Sequence, residues 1–237
     1  MTKSGVTFAD QWHTERDWNL HPVRIYISMP EAKEQVIDIP GGDGTIDLSE
    51  INGRPMYGMR TVELEYHLRN VDNEKWSLIY SEIGAVITGK KVKMVLDDDP
   101  DHYYMARLKV DGEKTDYVNA ELTFTGTAEP FKYDLTATNE PWLWDTFNFE
   151  TGVIREIEEV EITAENNKVT IIGAGIDTPP VFVVSQADNL KLTYGGRTYI
   201  LKVGRNRFPA VRVGKEDVTL TFSGTGKFEV EYRGRYL

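Results

Sequence analysis

The chain has 237 residues, of which 40% are hydrophobic and 11% aromatic. That is enough apolar side chain for one large core or two small ones, and too much for a disordered chain. There is no cysteine, which excludes disulfides, thiolate nucleophiles and cysteine-based zinc sites, and the net charge of −11 disfavours tight binding to a phosphate backbone.

The charge is uneven. Residues 1–135 carry 15 basic and 24 acidic side chains, a net of −9, and residues 136–237 carry 12 and 14, a net of −2. Met1-Thr2-Lys3-Ser4-Gly5 lacks the apolar stretch of a signal peptide. No apolar run approaches the roughly 18 residues that span a bilayer, so no membrane insertion is expected.

In chain order, period-two alternation dominates. Val62, Leu64, Tyr66 and Leu68 alternate with Glu63, Glu65, His67 and Arg69, which predicts a strand. One helix is predicted over about Asn73–Ile87. Asp72 suits its N-cap, Glu74 its positive end and Gly89 its stop. Trp76, Ile79, Tyr80, Ile83, Val86 and Ile87 share one face at helical spacing. Strands follow at Lys91–Leu96, at Tyr104–Val110 with a turn expected at Asp111-Gly112, and at Val118–Thr127. These elements predict a β-sandwich with one packed helix for residues 1–135.

The pattern changes after Asp134. Thr136-Ala137-Thr138-Asn139-Glu140-Pro141 reads as an exposed linker, with the linker region extending over 136–150. Trp142, Trp144, Phe147 and Phe149 then crowd together. Over 151–237, short hairpins suggest a second, jelly-roll-like sandwich. Leu190–Tyr194 and Arg197–Val203 flank the tight turn Gly195-Gly196. Val218, Leu220 and Phe222 alternate, Ser223-Gly224-Thr225-Gly226 is expected to turn, and Phe228, Val230 and Tyr232 alternate again.

No catalytic signature emerges. The four histidines, His13, His21, His67 and His102, lack the spacing of a zinc helix motif. No Gly-x-Ser-x-Gly elbow is present. Asp97-Asp98-Asp99-Pro100-Asp101-His102 clusters carboxylates that suit a hard cation, but it lacks the glycine and glutamate of a calcium loop and reads as a solvated hairpin tip. Gly173-Ala174-Gly175 follows a strand, yet Asp177-Thr178-Pro179-Pro180 precludes the helix a dinucleotide site needs. The expectation is therefore no catalytic residue, no cofactor and no metal. Candidate partner or glycan contacts are Trp142 and Trp144, as a stacking platform, and Arg205 and Arg207, which with Arg212, Lys215, Arg233 and Arg235 give the distal region a basic character.

Two phrases carry the remaining information. The first is Ile39-Pro40-Gly41-Gly42-Asp43-Gly44-Thr45-Ile46-Asp47-Leu48-Ser49-Glu50, followed by Tyr57 and Arg60 leading into a strand. The second is Leu122-Thr123-Phe124-Thr125-Gly126-Thr127-Ala128-Glu129-Pro130-Phe131-Lys132-Tyr133. Their order and separation resemble the N-terminal domain of the distal tail proteins of siphophages, the phages with long, non-contractile tails. The commonest family form has a more apolar or cysteine-containing strand where Thr125-Gly126-Thr127 stands here. The resemblance implies a ring-forming domain over 1–135, which assembles as a homohexamer beneath the tail tube. It also implies a peripheral galectin- or carbohydrate-module-like sandwich over 151–237. The implied protein is a non-enzymatic virion component of the tail tip, made in the host cytoplasm from a phage or prophage gene. It would join the tube protein to receptor-binding or tail-fibre proteins, touch host polysaccharide, and leave a channel through which DNA transits. The alternative reading is a carbohydrate-binding module or lectin that recognises cell-surface glycans.

Overall fold

The computed structural model describes residues 5–69, 72–114, 119–141 and 153–237. Contacts divide the chain into two compact units: Met1–Asp99 with Tyr103–Lys132, and Pro100–His102 with Tyr133–Leu237. Both are mainly β.

The first unit holds β1 (Val6–Phe8), β2 (Trp12–His13), β3 (His21–Ile27), β4 (Val36–Asp38), β5 (Thr45–Asp47), β6 (Arg60–Arg69), α1 (Asn73–Ile87) and β7 (Lys91–Leu96). It also holds most of β8 (Asp99–Lys114) and β9 (Asn119–Ala128). The main sheet runs β2-β1-β7-β8-β9-β6-β3, antiparallel throughout. β6 and β9 pair over their whole length, from Arg60 opposite Ala128 to Arg69 opposite Asn119. The sheet is strongly rolled. Phe8 and Phe124 sit on strands separated by two others, about 14 Å apart in a flat sheet. Their ring centroids are nevertheless 5.6 Å apart. The core inside the roll contains Val62, Leu64, Tyr66, Leu68, Leu108, Leu122, Phe124 and Trp18.

The helix forms where its sequence predicts. Asp72 Oδ1 accepts from the Lys75 amide at 2.8 Å, and Gly89, at φ +74°, reverses the chain just past the end. Ile83 and Ile87 are fully buried, and Trp76, Ile79, Tyr80 and Val86 pack partly buried against the same core. Asp111-Gly112 is not a turn: β8 continues to Lys114. Gly112 lies beneath the helix instead, where an added Cβ would stand 2.8 Å from the Trp76 ring and 3.0 Å from Tyr80. The glycine there answers to close packing. Val118 lies outside the described residues, and β9 begins at Asn119.

The second unit holds β10 (Lys132–Asp134) from Tyr133 on, β11 (Val160–Ile162), β12 (Lys168–Ile171), β13 (Val181–Tyr194), β14 (Arg197–Ile200), β15 (Gly204–Arg207), β16 (Val218–Glu231) and β17 (Arg235–Tyr236). β13 and β16 form its central ladder. β11 and β12 lie end to end along the outer side of β16, and β14 and β15 end to end along the outer side of β13. Gly195 and Gly196, at φ +56° and +73°, make the expected tight hairpin turn. The turn expected at Ser223–Gly226 does not occur, because β16 runs straight through it. Its ladder with β13 shifts register there, between Asp188 and Lys191 and between Val184 and Gln186. Gly224, at φ +83°, faces Asn189, at φ +50°, and an added Cβ would lie 2.3 Å from the Asn189 carbonyl oxygen. The glycines thus permit a bend in a paired strand. The sheet doubles over at that bend, and Phe182, Phe222 and Phe228 meet inside with centroids 4.9–6.0 Å apart.

The segment 136–141, expected to be exposed, is partly inside. Ala137 and Thr138 are buried. The Thr138 amide donates to the Tyr232 carbonyl at 3.0 Å, its hydroxyl accepts from the Tyr232 amide at 2.9 Å, and that hydroxyl donates to the Val230 carbonyl. Threonine fits because its hydroxyl completes the β16 backbone. Nearby, Asp134 accepts from the Gly234 amide and from Arg155, and Arg155 also donates to the Tyr236 hydroxyl at 3.0 Å.

Two outcomes follow. Ile83→Ala removes a fully buried side chain under the helix, so thermal denaturation is expected to register a loss of about 2–5 kcal/mol. Burial is the main cause that pushes Tyr232 and Tyr236 up to about 12 from an ordinary value of 10.0. A raised phenol pKa means that the unfolded chain ionises first. Its contribution is present below pH 10 and lost as pH rises from 10 to 12. The melting temperature should fall across that window, and less steeply in Tyr236→Phe.

Candidate functional site

The strongest departure from a self-sufficient domain lies between β3 and β6. Residues 29–59 form an arm of the first unit that departs from its main sheet after β3 and returns to it at β6. Ala32 bridges to Tyr57, the Lys33 amide donates to the Met56 carbonyl, and Leu48 donates to Gln35. β4 and β5 then pair by themselves as a two-stranded sheet, Val36 opposite Asp47, Ile37 opposite Ile46 and Asp38 opposite Thr45. Gly41 and Gly44, both at positive φ, close the tip. The Ser49 hydroxyl and amide hold the Asp47 carboxyl below its ordinary pKa and fix the turn behind β5.

Every residue from Glu31 to Asp47 is exposed. Val36, Ile37 and Ile46 are 57%, 54% and 52% accessible, and Ile51 and Met29 reach 70%. Ile37, Ile39 and Ile46 share one face by strand alternation and pairing register. An isolated hairpin is marginal in water, and contiguous exposed aliphatics of this kind mark interaction surfaces. The arm is also acidic. Glu31, Glu34, Asp38, Asp43, Asp47 and Glu50 stand against Lys33 and Arg54 over 31–54.

The two phrases singled out in the sequence meet at the root of this arm. Arg60 is 2% exposed. Its Nε donates to the Pro130 carbonyl at 2.9 Å, and its Nη1 donates to the Ser28 carbonyl at 2.9 Å and lies 3.6 Å from Met29 Sδ. Its guanidinium lies 5.6 Å from the Tyr104 ring centre. Burial pushes the guanidinium pKa down, although arginine stays charged. Tyr57 meets Phe131 edge to face at 5.9 Å. Gly126 is required by the β8–β9 pairing, since an added Cβ would sit 2.1 Å from the Arg107 carbonyl oxygen.

The open face of the main sheet is polar. Glu63, Glu65, His67 and Arg69 on β6 stand beside Thr127, Thr125, Thr123 and Glu121 on β9 and Arg107, Lys109, Asp111 and Glu113 on β8. Arg24 pairs with Glu63 at 3.0 Å and Glu65 at 3.4 Å.

Of the contacts suggested by sequence, Arg205 and Arg207 are exposed on β15. Arg205 pairs with Glu231 at 2.8 Å. Arg233 is committed to Glu140 and to the carbonyls of Asp134 and Leu135, and Arg235 lies over the Tyr133 ring. Trp142, Trp144, Phe147 and Phe149 lie outside the described residues. The acidic run resolves into a two-residue tip, Asp97-Asp98, after which Asp99–His102 join β8. Asp97 accepts from the Gly5 amide and faces His13, and Asp99 pairs with Lys132. Among the described residues no three acidic or histidine side chains are grouped to hold a metal ion, and no helix is long and apolar enough to cross a membrane. The arm aliphatics were missed in the sequence because Val36-Ile37-Asp38-Ile39 reads as an ordinary strand. The signal was its acidic, glycine-closed setting without an aromatic residue.

Arg60→Met strands the Pro130 and Ser28 carbonyls, at about 1–3 kcal/mol for each unsatisfied group. Limited proteolysis should then cut within 29–59 faster than in the native chain.

No protein-family model matches the sequence, and no curated protein sequence matches it. The fold has a counterpart. It is similar over 99% of this chain, and 99% of the other, to the crystal structure of SPP1 Dit (gp 19.1), with a TM-score of 0.59 at 12% identity. That protein is described as a paradigm of the hub adsorption apparatus in phages that infect Gram-positive bacteria. The chain has the fold of a distal tail hub protein, helix-bearing β unit and separate β-sheet unit included.

Proposed function

We propose that this protein is a non-enzymatic distal tail hub of a siphophage, placed at the tip of the virion tail. In this reading residues 1–135 assemble with copies of themselves into a hexameric ring beneath the tail tube, and residues 151–237 face outward toward receptor-binding or fibre proteins and host polysaccharide. The observation that carries the reading is the arm of residues 29–59. Its aliphatics are exposed on a hairpin that is not packed on a core of its own. A closed ring needs a surface on each copy that reaches a different surface on the next, and a projecting aliphatic arm on a rigid root supplies one.

The fold shared with a phage hub supports the same reading. The open sheet face supports a channel for DNA. Its threonines, and carboxylates interspersed with cations, present a hydrated wall of mixed charge in place of the single-sign cationic run that would hold phosphates.

The test is the solution mass of the full chain by light scattering, alone and with its tail tube protein, with rings sought in electron micrographs. Assembly above the monomer is expected. Ile37→Lys with Ile46→Glu should abolish it while changing stability by no more than about 0.5 kcal/mol, because both sites are exposed and the new charges face one another with opposite sign. A native chain that stays monomeric in both settings overturns the ring. Assembly that survives the double substitution removes the arm from it.

A further inference from the structure

The second unit carries a segregated charge. From Asn189 to Lys215 the sequence has seven cations, Lys191, Arg197, Lys202, Arg205, Arg207, Arg212 and Lys215, and no carboxylate, in a chain whose net charge is −11. The fold gathers the middle of this run onto one sheet edge. β14 pairs with β13 residues 191–194 and β15 with 181–184, so both follow the same side of β13, end to end around its bend. Among the described residues, no strand pairs with the outer side of either.

Arg197, Lys202, Arg205 and Arg207 are exposed along this edge. Among the described residues only Arg205 has a carboxylate partner, Glu231, and the other three make no ion pair. Between them Ile200 and Val203 are 63% and 67% accessible. The corner between the strands is rigid. Asn206 accepts from the Lys202 amide at 3.0 Å and donates to the Lys202 and Gly204 carbonyls at 2.6 and 2.9 Å. Behind it the rings of Tyr199 and Phe208 meet at a tilt, with centroids 4.8 Å apart.

We infer that this edge is a docking site for an acidic protein segment, which adds to β14 and β15 as a β-strand bent at the corner between them. The inference names the chemistry of a partner for the outward unit and rests on the hub reading for that partner's setting. Three features select a polypeptide over a polyanion. Away from the corner that Asn206 satisfies, β14 and β15 have no strand on their outer side among the described residues, and the backbone groups of such an edge are satisfied by a strand and not by a phosphate polymer. Exposed aliphatics stand among the cations, so an occupant with alternating carboxylate and aliphatic side chains matches both. The fixed corner leaves little ordering to be done on binding.

The experiment uses the full chain and fluorescence anisotropy at low and physiological salt. The probes are an alternating glutamate–valine peptide, the same peptide N-methylated at every second residue, a lysine–valine peptide and polyphosphate. Binding is expected for the glutamate–valine peptide alone, weakening as salt rises. The triple substitution Arg197→Glu, Lys202→Glu and Arg207→Glu should weaken it by about tenfold or more, with melting temperature and ring mass unchanged. Equal binding of the N-methylated peptide or of polyphosphate overturns strand addition. Failure of the glutamate–valine peptide to bind, or its unchanged binding to the triple variant, overturns the site. Ring mass is read separately, so a monomeric chain that still binds the peptide costs the hub reading and leaves this edge standing.

Discussion

The first unit depends on the pairing of β6 with β9, ten residues on each side in unbroken register. The core alternates off its inner face, with Val62, Leu64, Tyr66 and Leu68 opposite Gly126, Phe124, Leu122 and Ala120. Its outer face supplies the threonines and charges of the open surface. Its end near Arg60 is where the chain must release a long excursion and recover it. A charged guanidinium bonded to the Ser28 carbonyl before the excursion and to the Pro130 carbonyl after β9 is costly to bury. Its bonds join three chain segments at one point, the ends of β3 and β9 and the start of β6. The arm can therefore project without loosening the sheet.

Much of this was legible because local signals agreed with one another. Alternation named β6, β7 and β9, and the N-cap, first-turn acid and terminal glycine named the helix to its ends. The failures share a cause. Asp111-Gly112 and Ser223–Gly226 carry turn chemistry but lie within strands, because glycine is demanded there by a neighbour. In one case that neighbour is the aromatic underside of a helix, in the other a facing backbone at a bend. Local sequence cannot distinguish a glycine that turns the chain from one that admits something else. The same limit hid Thr138, a polar residue in a polar stretch, whose buried role depends on β16 some ninety positions later.

The arm was hidden for a different reason. Val36, Ile37 and Ile46 have the composition of core residues, and hydrophobicity alone assigns them to a core. The structure, with no second layer around them among the described residues, leaves them exposed instead. The basic edge of the second unit is the converse. Its cations were visible in the sequence, but its geometry was not, since Arg233 and Arg235 turn inward to carbonyls and a ring while Arg197, Lys202 and Arg207 do not.

The bend shared by β13 and β16 has a kinetic consequence. Each strand contributes one half to each layer of the second unit, so neither layer has a strand set of its own. No stable half-domain exists to fold first. The ladder of β13 with β16 spans 28 positions at its inner pair, Thr193 with Thr221, and fifty at its outer pair, Val181 with Glu231, so most of the core is rewarded only after non-local closure. This unit should form in a single slow, all-or-none step, after the locally connected hairpin of β13 with β14. Under conditions that unfold the chain, the same architecture works in reverse: opening either layer means losing both.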